Sequence, residues 1–130
     1  LAAFGSGMTA TQIVDKMNLN AGSVLSGSER SSLIDLLGVN PNDLSRRAAV
    51  LRGVAEDQDL QTAEFNKAFV LMQYFGYLRR SPNDAPDTNH TGYEFWLGKL
   101  NDFHGDFVQA EMVKAFIEST EYNRRFLFIP

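Results

Sequence analysis

Residues 47–60, RAAVLRGVAEDQDL, can be laid without gaps on residues 109–122, QAEMVKAFIESTEY, at a constant spacing of 62 positions. Ala48 then meets Ala110, Val50 meets Met112, Arg52 meets Lys114, Val54 meets Phe116, Glu56 meets Glu118 and Leu60 meets Tyr122. Apolar positions fall on apolar ones and charges on charges of like sign. Upstream the register slips by one, Leu33, Ile34 and Leu37 facing Trp96, Leu97 and Leu100, as a single inserted loop residue requires. Two degenerate copies of a helical unit are the economical reading, one over about residues 9–60 and the other over about 62–126.

Working outward, start signals bracket these segments. Thr9-Ala-Thr-Gln12, Ser26-Gly-Ser-Glu29 and Thr91-Gly-Tyr-Glu94 have the capping-box form, in which a hydroxyl accepts from the third amide and the Glu or Gln returns to the cap's own amide. Asp106 with Gln109 is a near variant, and Asn40-Pro41, Asp59 and Ser119 supply further starts. Ile13, Val14 and Met17 form one short stripe, Leu33, Ile34, Leu36 and Leu37 a second, and Leu44, Ala48, Leu51 and Ala55 a third at helical spacing. Gly38 closes the second helix.

Over residues 62–78 apolar side chains cover nearly the whole circumference, which predicts a central buried helix. Gly76 within it costs about 1 kcal/mol against Ala, so a neighbouring backbone is expected to pass close there. Residues 93–103 read as an amphipathic helix and 107–117 as another, turned at His104-Gly105. No segment alternates with period two. The expectation is an all-α, single-domain bundle of six to seven helices built from the two repeats around that central helix.

Composition limits the function classes. A net charge of −4 argues against nucleic acid, whose phosphates need a concentrated cationic face. The only basic pairs are Arg46-Arg47, Arg79-Arg80 and Arg124-Arg125, the last two placed where a last-turn cation complements a helix dipole. Without cysteine there is neither disulfide nor thiolate metal site. No apolar run approaches the roughly 20 residues of a membrane span. A start of Leu-Ala-Ala-Phe without methionine reads as a domain cut from the C-terminal part of something longer.

The richest polar stretch runs from Arg79 to Gly92, and it is the candidate binding loop, with Arg79, Arg80, Asp84, Asp87 and Asn89 as its charged and amide groups. Asp87, Asn89 and Thr91, followed by Gly92, copy positions one, three, five and six of a calcium loop. Position twelve falls on Gly98, where a bidentate carboxylate is needed, and position eight on Glu94. The competing reading pairs Asp84 and Asp87 with Arg79 and Arg80 and gives Thr91 and Glu94 to a helix cap. His90 and His104 lack a zinc-type partner spacing. Glu111, Glu118 and Glu121 alternate with Lys114, Arg124 and Arg125 like a solvated ion-paired face. Tyr74, Tyr77, Tyr93 and Trp96 read either as core or as a sugar-stacking platform. There is no nucleophile elbow, Walker loop or dinucleotide fingerprint, so no catalytic residue and no cofactor is assigned.

The run 66–80 (NKAFVLMQYFGYLRR), followed by Pro82, the Asp-rich loop, Gly92-Tyr-Glu-Phe-Trp-Leu97, Lys99-Leu100, Met112-Val-Lys-Ala-Phe-Ile117, Ser119, Glu121-Tyr122 and Arg125-Phe126, resembles the bacterial domain-of-unknown-function family four-two-one-four. The resemblance spans about residues 64–126 and extends weakly over the first half, which lacks the Leu-x-Arg motif and the Trp. It implies an all-helical module similar in architecture to the phycobilisome linker domain. It further implies a non-catalytic structural or protein-interaction role in a larger secreted or cell-surface bacterial protein, with other protein domains or a surface polysaccharide as partner. The alternative expectation is a carbohydrate-binding or calcium-dependent adhesive domain.

Overall fold

The computed structural model describes residue 5 and residues 7–126. The described residues are all-α, in seven helices: α1 (Ala10–Asn20), α2 (Gly27–Leu37), α3 (Leu44–Ala55), α4 (Gln58–Gln73), α5 (Thr91–Asp102), α6 (Met112–Ile117) and α7 (Thr120–Phe126). A π-helical turn, Tyr74–Leu78, prolongs α4. No described helix is long and apolar enough to cross a membrane. The chain divides into two units between Thr62 and Ala63, inside α4.

In the first unit α1, α2 and α3 pack pairwise. Both expected capping boxes form, Thr9 with Gln12 and Ser26 with Glu29, and fix where α1 and α2 begin. Gly38 ends α2 at φ +60°, its amide bonded to Ile34 O at 2.9 Å. The start of α3 falls on Asp43 rather than on Asn40-Pro41, because the Asp43 carboxylate takes the Arg46 amide. The core consists of Ile13, Val14 and Met17 from α1, Leu37 from α2, and Val50 and Val54 from α3. Across its rim Arg30 forks onto Asp15 through Nε and Nη2, at 2.6 and 2.9 Å.

In the second unit a separate core gathers Val70, Tyr74, Leu78, Leu100, Ala110, Met112 and Phe116. The expected central buried helix is corrected here. Only one stripe of α4 and its π turn is buried, namely Asn66, Val70, Gln73, Tyr74 and Leu78, while Phe65, Met72 and Phe75 are exposed. Two cores form instead of one, so the apolar girdle of this rod is not enclosed. Gly76 also departs from expectation, since nothing lies within 4 Å of where its Cβ would be. The glycines at the tightest approaches are Gly38, against Arg46, Gly53, against Leu33, and Gly92, against Tyr74.

The expected helix over 107–117 is broken. Asp106 does collect the Val108 and Gln109 amides, but Glu111 sits at φ +52° and α6 starts only at Met112. The Thr91–Glu94 capping box is absent as well. His90 occupies the cap position without a side-chain bond, and the Thr91 amide goes to Asn89 Oδ1 at 2.9 Å. His104-Gly105 turns the chain as expected, at φ +52° and +84°.

The 62-residue repeat appears as matched hydrogen bonds, each within its own unit. At the α3–α4 elbow the Asp57 carboxylate takes the Leu60 amide at 3.0 Å, and at the α6–α7 elbow Ser119 Oγ takes the Tyr122 amide at 3.0 Å. The backbone bonds Glu56 N to Arg52 O (2.8 Å) and Gln61 N to Asp57 O (3.0 Å) recur as Glu118 N to Lys114 O (2.9 Å) and Asn123 N to Ser119 O (3.0 Å). Leu37 and Leu100, Val50 and Met112, and Val54 and Phe116 are buried in pairs.

Candidate functional site

The loop between the π turn and α5 is organised by one side chain. Arg79 caps the π turn in the left-handed region, at φ +49°, which turns the chain so that Arg80 points inward and is only 8% exposed. Its Nε donates to Glu121 Oε1 at 2.7 Å, and its Nη2 donates to Asp87 Oδ2 at 2.7 Å and Glu121 Oε2 at 3.1 Å. Its Nη1 faces the carbonyls of Ser81, Pro82 and Asp84 at 3.0, 3.3 and 3.0 Å. The guanidinium also lies 5.3 Å from the Tyr74 ring centroid. Hydrogen bonding to Glu121 and then to Asp87, against the opposing pull of burial, holds the Arg80 pKa above its ordinary value.

The loop residues singled out in the sequence therefore have divided roles. Arg80 and Asp87 pair, as one of the two readings expected. Asp84 does not pair with an arginine; its Oδ2 takes the Ser81 amide at 2.8 Å. Arg79 stacks over the Phe126 ring at 4.8 Å. The three calcium-pattern residues each have a place in the local structure. Asp87 turns to Arg80, Asn89 to the Thr91 amide, and Thr91 opens α5. Among the described residues no group of three His, Cys, Asp or Glu side chains is placed to hold a metal ion. The tail beyond Phe126 lies outside the described residues.

Beside Arg80 a cleft of about 280 Å³ opens in the second unit, with Tyr74, Arg80, Asp87, Trp96, Phe116 and Glu121 among its walls. Tyr74 and Phe116 meet edge to face at 5.1 Å, and Trp96 and Phe116 meet at a tilt at 5.6 Å. Tyr74 is 3% exposed, yet its hydroxyl has no hydrogen-bond partner among the described residues. Burial and, next, the charge of Asp87 push the Tyr74 pKa up, Arg80 opposes them and Glu121 adds to them, so the phenol stays a donor. A Cβ at Gly92 would lie 2.7 Å from the Tyr74 hydroxyl.

That contact gives a direct test of the geometry. Gly92→Ala is expected to cost about 1–3 kcal/mol, the usual effect of overpacking. The same change in a Tyr74→Phe background, where the obstructing oxygen is gone, is expected to cost markedly less. Thermal melts of the four proteins in the cycle read the coupling.

The first unit has a cleft at the equivalent place. Glu29, Leu33, Gly53 and Asp57 line a space of about 390 Å³, and their repeat partners Gly92, Trp96, Ala115 and Ser119 line the one beside Arg80. The elbow architecture makes a hollow in both units, but aromatic and ion-paired walls exist only in the second.

A further surface escaped the sequence reading. Phe65 stacks on Phe69 at 6.0 Å and Phe69 on Phe107 at 5.0 Å, with Phe65 62%, Phe107 40% and Val108 70% exposed. The signal was present in a simple form, since Phe65, Phe103 and Phe107 each follow an acid, Glu64, Asp102 and Asp106. An acid next in the chain to each ring, Phe65 on α4 and Phe103 and Phe107 in the turns after α5, suits aromatics at the solvent boundary.

No protein-family model matches the chain, and neither a curated protein nor a solved structure matches it.

Proposed function

We propose that the chain is a non-catalytic interaction module that docks on another protein through the Phe65–Phe69–Phe107 aromatic ladder. The observation that supports this reading is the ladder itself. Exposed aromatic surface is costly to leave wet, and a contiguous exposed patch is the feature that marks an interaction site. Aromatic residues are also enriched at the centres of interfaces. Acids beside the ladder, Glu64, Asp102 and Asp106, favour a partner whose apolar segment carries Lys or Arg at its rim. The docking role agrees with what the resemblance to family four-two-one-four implies, as does a place within a larger exported bacterial protein. Within the Arg79–Gly92 loop, Arg80, Asp84, Asp87 and Asn89 bond to groups of the protein itself, so the loop serves this reading as a rigid bracket for the second unit.

A photo-crosslinking amino acid at Val108 tests the proposal in the full-length protein in its own cells. The expected result is a discrete cross-linked protein that disappears when Phe65 and Phe107 are both changed to Ser, and that weakens as ionic strength rises. Because Phe65 is largely exposed and Phe107 partly so, the double variant is expected to lose little in melting temperature. Cross-links indifferent to the double substitution, or no more specific than those from the exposed Val39, would overturn the reading.

A further inference from the structure

We propose that the cleft beside Arg80 binds one ring of a neutral sugar, an activity separate from the aromatic ladder. Its walls carry the three groups such a ligand needs. The Trp96 indole offers an apolar surface for the C–H face of a pyranose, and Lys99, which is not part of the lining, holds that indole from outside the cleft at 5.3 Å. The Tyr74 hydroxyl, at the tip of a side chain that lines the cleft and unpartnered among the described residues, can both donate to and accept from a sugar hydroxyl. Asp87 spends Oδ2 on Arg80 and has no partner at Oδ1 among the described residues, so it accepts a second hydroxyl.

Charge decides the ligand class. An anion would meet the carboxylates of Asp87 and Glu121, and a cation would meet the Arg80 guanidinium, whereas a neutral polyol meets neither penalty. Size suits a single ring rather than a larger ligand, since about 280 Å³ falls just below the range of small-molecule sites, about 300 to 1,000 Å³. The equivalent hollow in the first unit has Leu33 in place of Trp96 and no aromatic wall, so it supplies an internal contrast.

Trp96 is the chain's one tryptophan, and its emission reports the cleft directly. The experiment titrates the chain with methyl β-D-glucopyranoside, methyl β-D-galactopyranoside, methyl α-D-mannopyranoside and N-acetylglucosamine into the tens of millimolar. At least one is expected to give a saturable emission change, with the Gly92 amide resonance moving and that of Gly53 still. Tyr74→Phe removes only the unpartnered oxygen and keeps the reporter. It is expected to fold as the parent does and to lose at least tenfold in affinity. No saturable change with any of the four sugars, equal movement of the Gly53 amide, or undiminished binding by Tyr74→Phe would overturn the proposal.

Discussion

Arg80→Met is expected to lower stability by about 3–5 kcal/mol, the usual result of removing one partner from a buried ion pair. The substitution keeps an unbranched, mostly apolar side chain of similar reach but strips every donor from the site. It leaves the Glu121 carboxylate, which has both oxygens on the guanidinium, and the carbonyls of Ser81, Pro82 and Asp84 without that partner. Arg125→Met makes the comparison. Arg125 reaches the same Glu121 oxygen at 3.3 Å from an exposed position, and pairs of that kind contribute about 0–1 kcal/mol. Denaturant unfolding of the two variants should therefore separate them widely. Near-equal losses would mean that Arg80 is solvated in solution and that the loop is not organised by it. Removing Glu121 and Asp87 together with Arg80, as Gln and Asn, should restore part of the loss, because the cost lies mainly in stranded charge.

Leu37→Ala and Leu100→Ala are expected to cost about 2–5 kcal/mol each. Both side chains are fully buried, at equivalent places in α2 and α5, and each belongs to a different core. Hydrogen exchange should show the damage staying local. Leu37→Ala is expected to raise exchange in α1–α3 most, and Leu100→Ala in α5–α7, as cooperative units with separate cores require. Uniform acceleration through all seven helices in both variants would contradict two cores. Phe65→Ala, on a side chain of α4 that is mostly exposed, serves as the small-effect reference.

Most of the helical architecture was legible because its signals are local. A capping box needs four residues, and Thr9 with Gln12 and Ser26 with Glu29 contain all of theirs. The repeat was legible because Val50, Val54, Met112 and Phe116 keep their apolar character on the buried face. Glu111 was missed because a left-handed residue that is neither Gly nor Asn leaves little trace in sequence. The exposed side of α4 was missed for a different reason. Apolar residues on every face say that water is unwelcome but not what covers them, and Phe65 and Met72 carry the same hydrophobicity as Val70.

The cleft was only half legible. Tyr74 and Trp96 stood out as aromatics, but Arg80 was indistinguishable from Arg79 in a basic pair, and its main partner, Glu121, lies 41 residues away. The left-handed turn at Arg79 sends the two guanidinium groups to different places. No spacing rule along the chain contains that information.

The recurrence of one joint with an aspartate in the first copy and a serine in the second bears on how such a chain can change. Either residue supplies the oxygen that the incoming amide requires, so the hinge of each helical pair survives exchange of its own side chain. The elbow thus accepts either oxygen, and the walls of the hollow beside it can differ between the two copies. One hollow is walled by Leu25, Leu33 and polar side chains such as Glu29 and Gln58, the other by indole, phenol and guanidinium, which is the freedom that a self-sufficient joint confers.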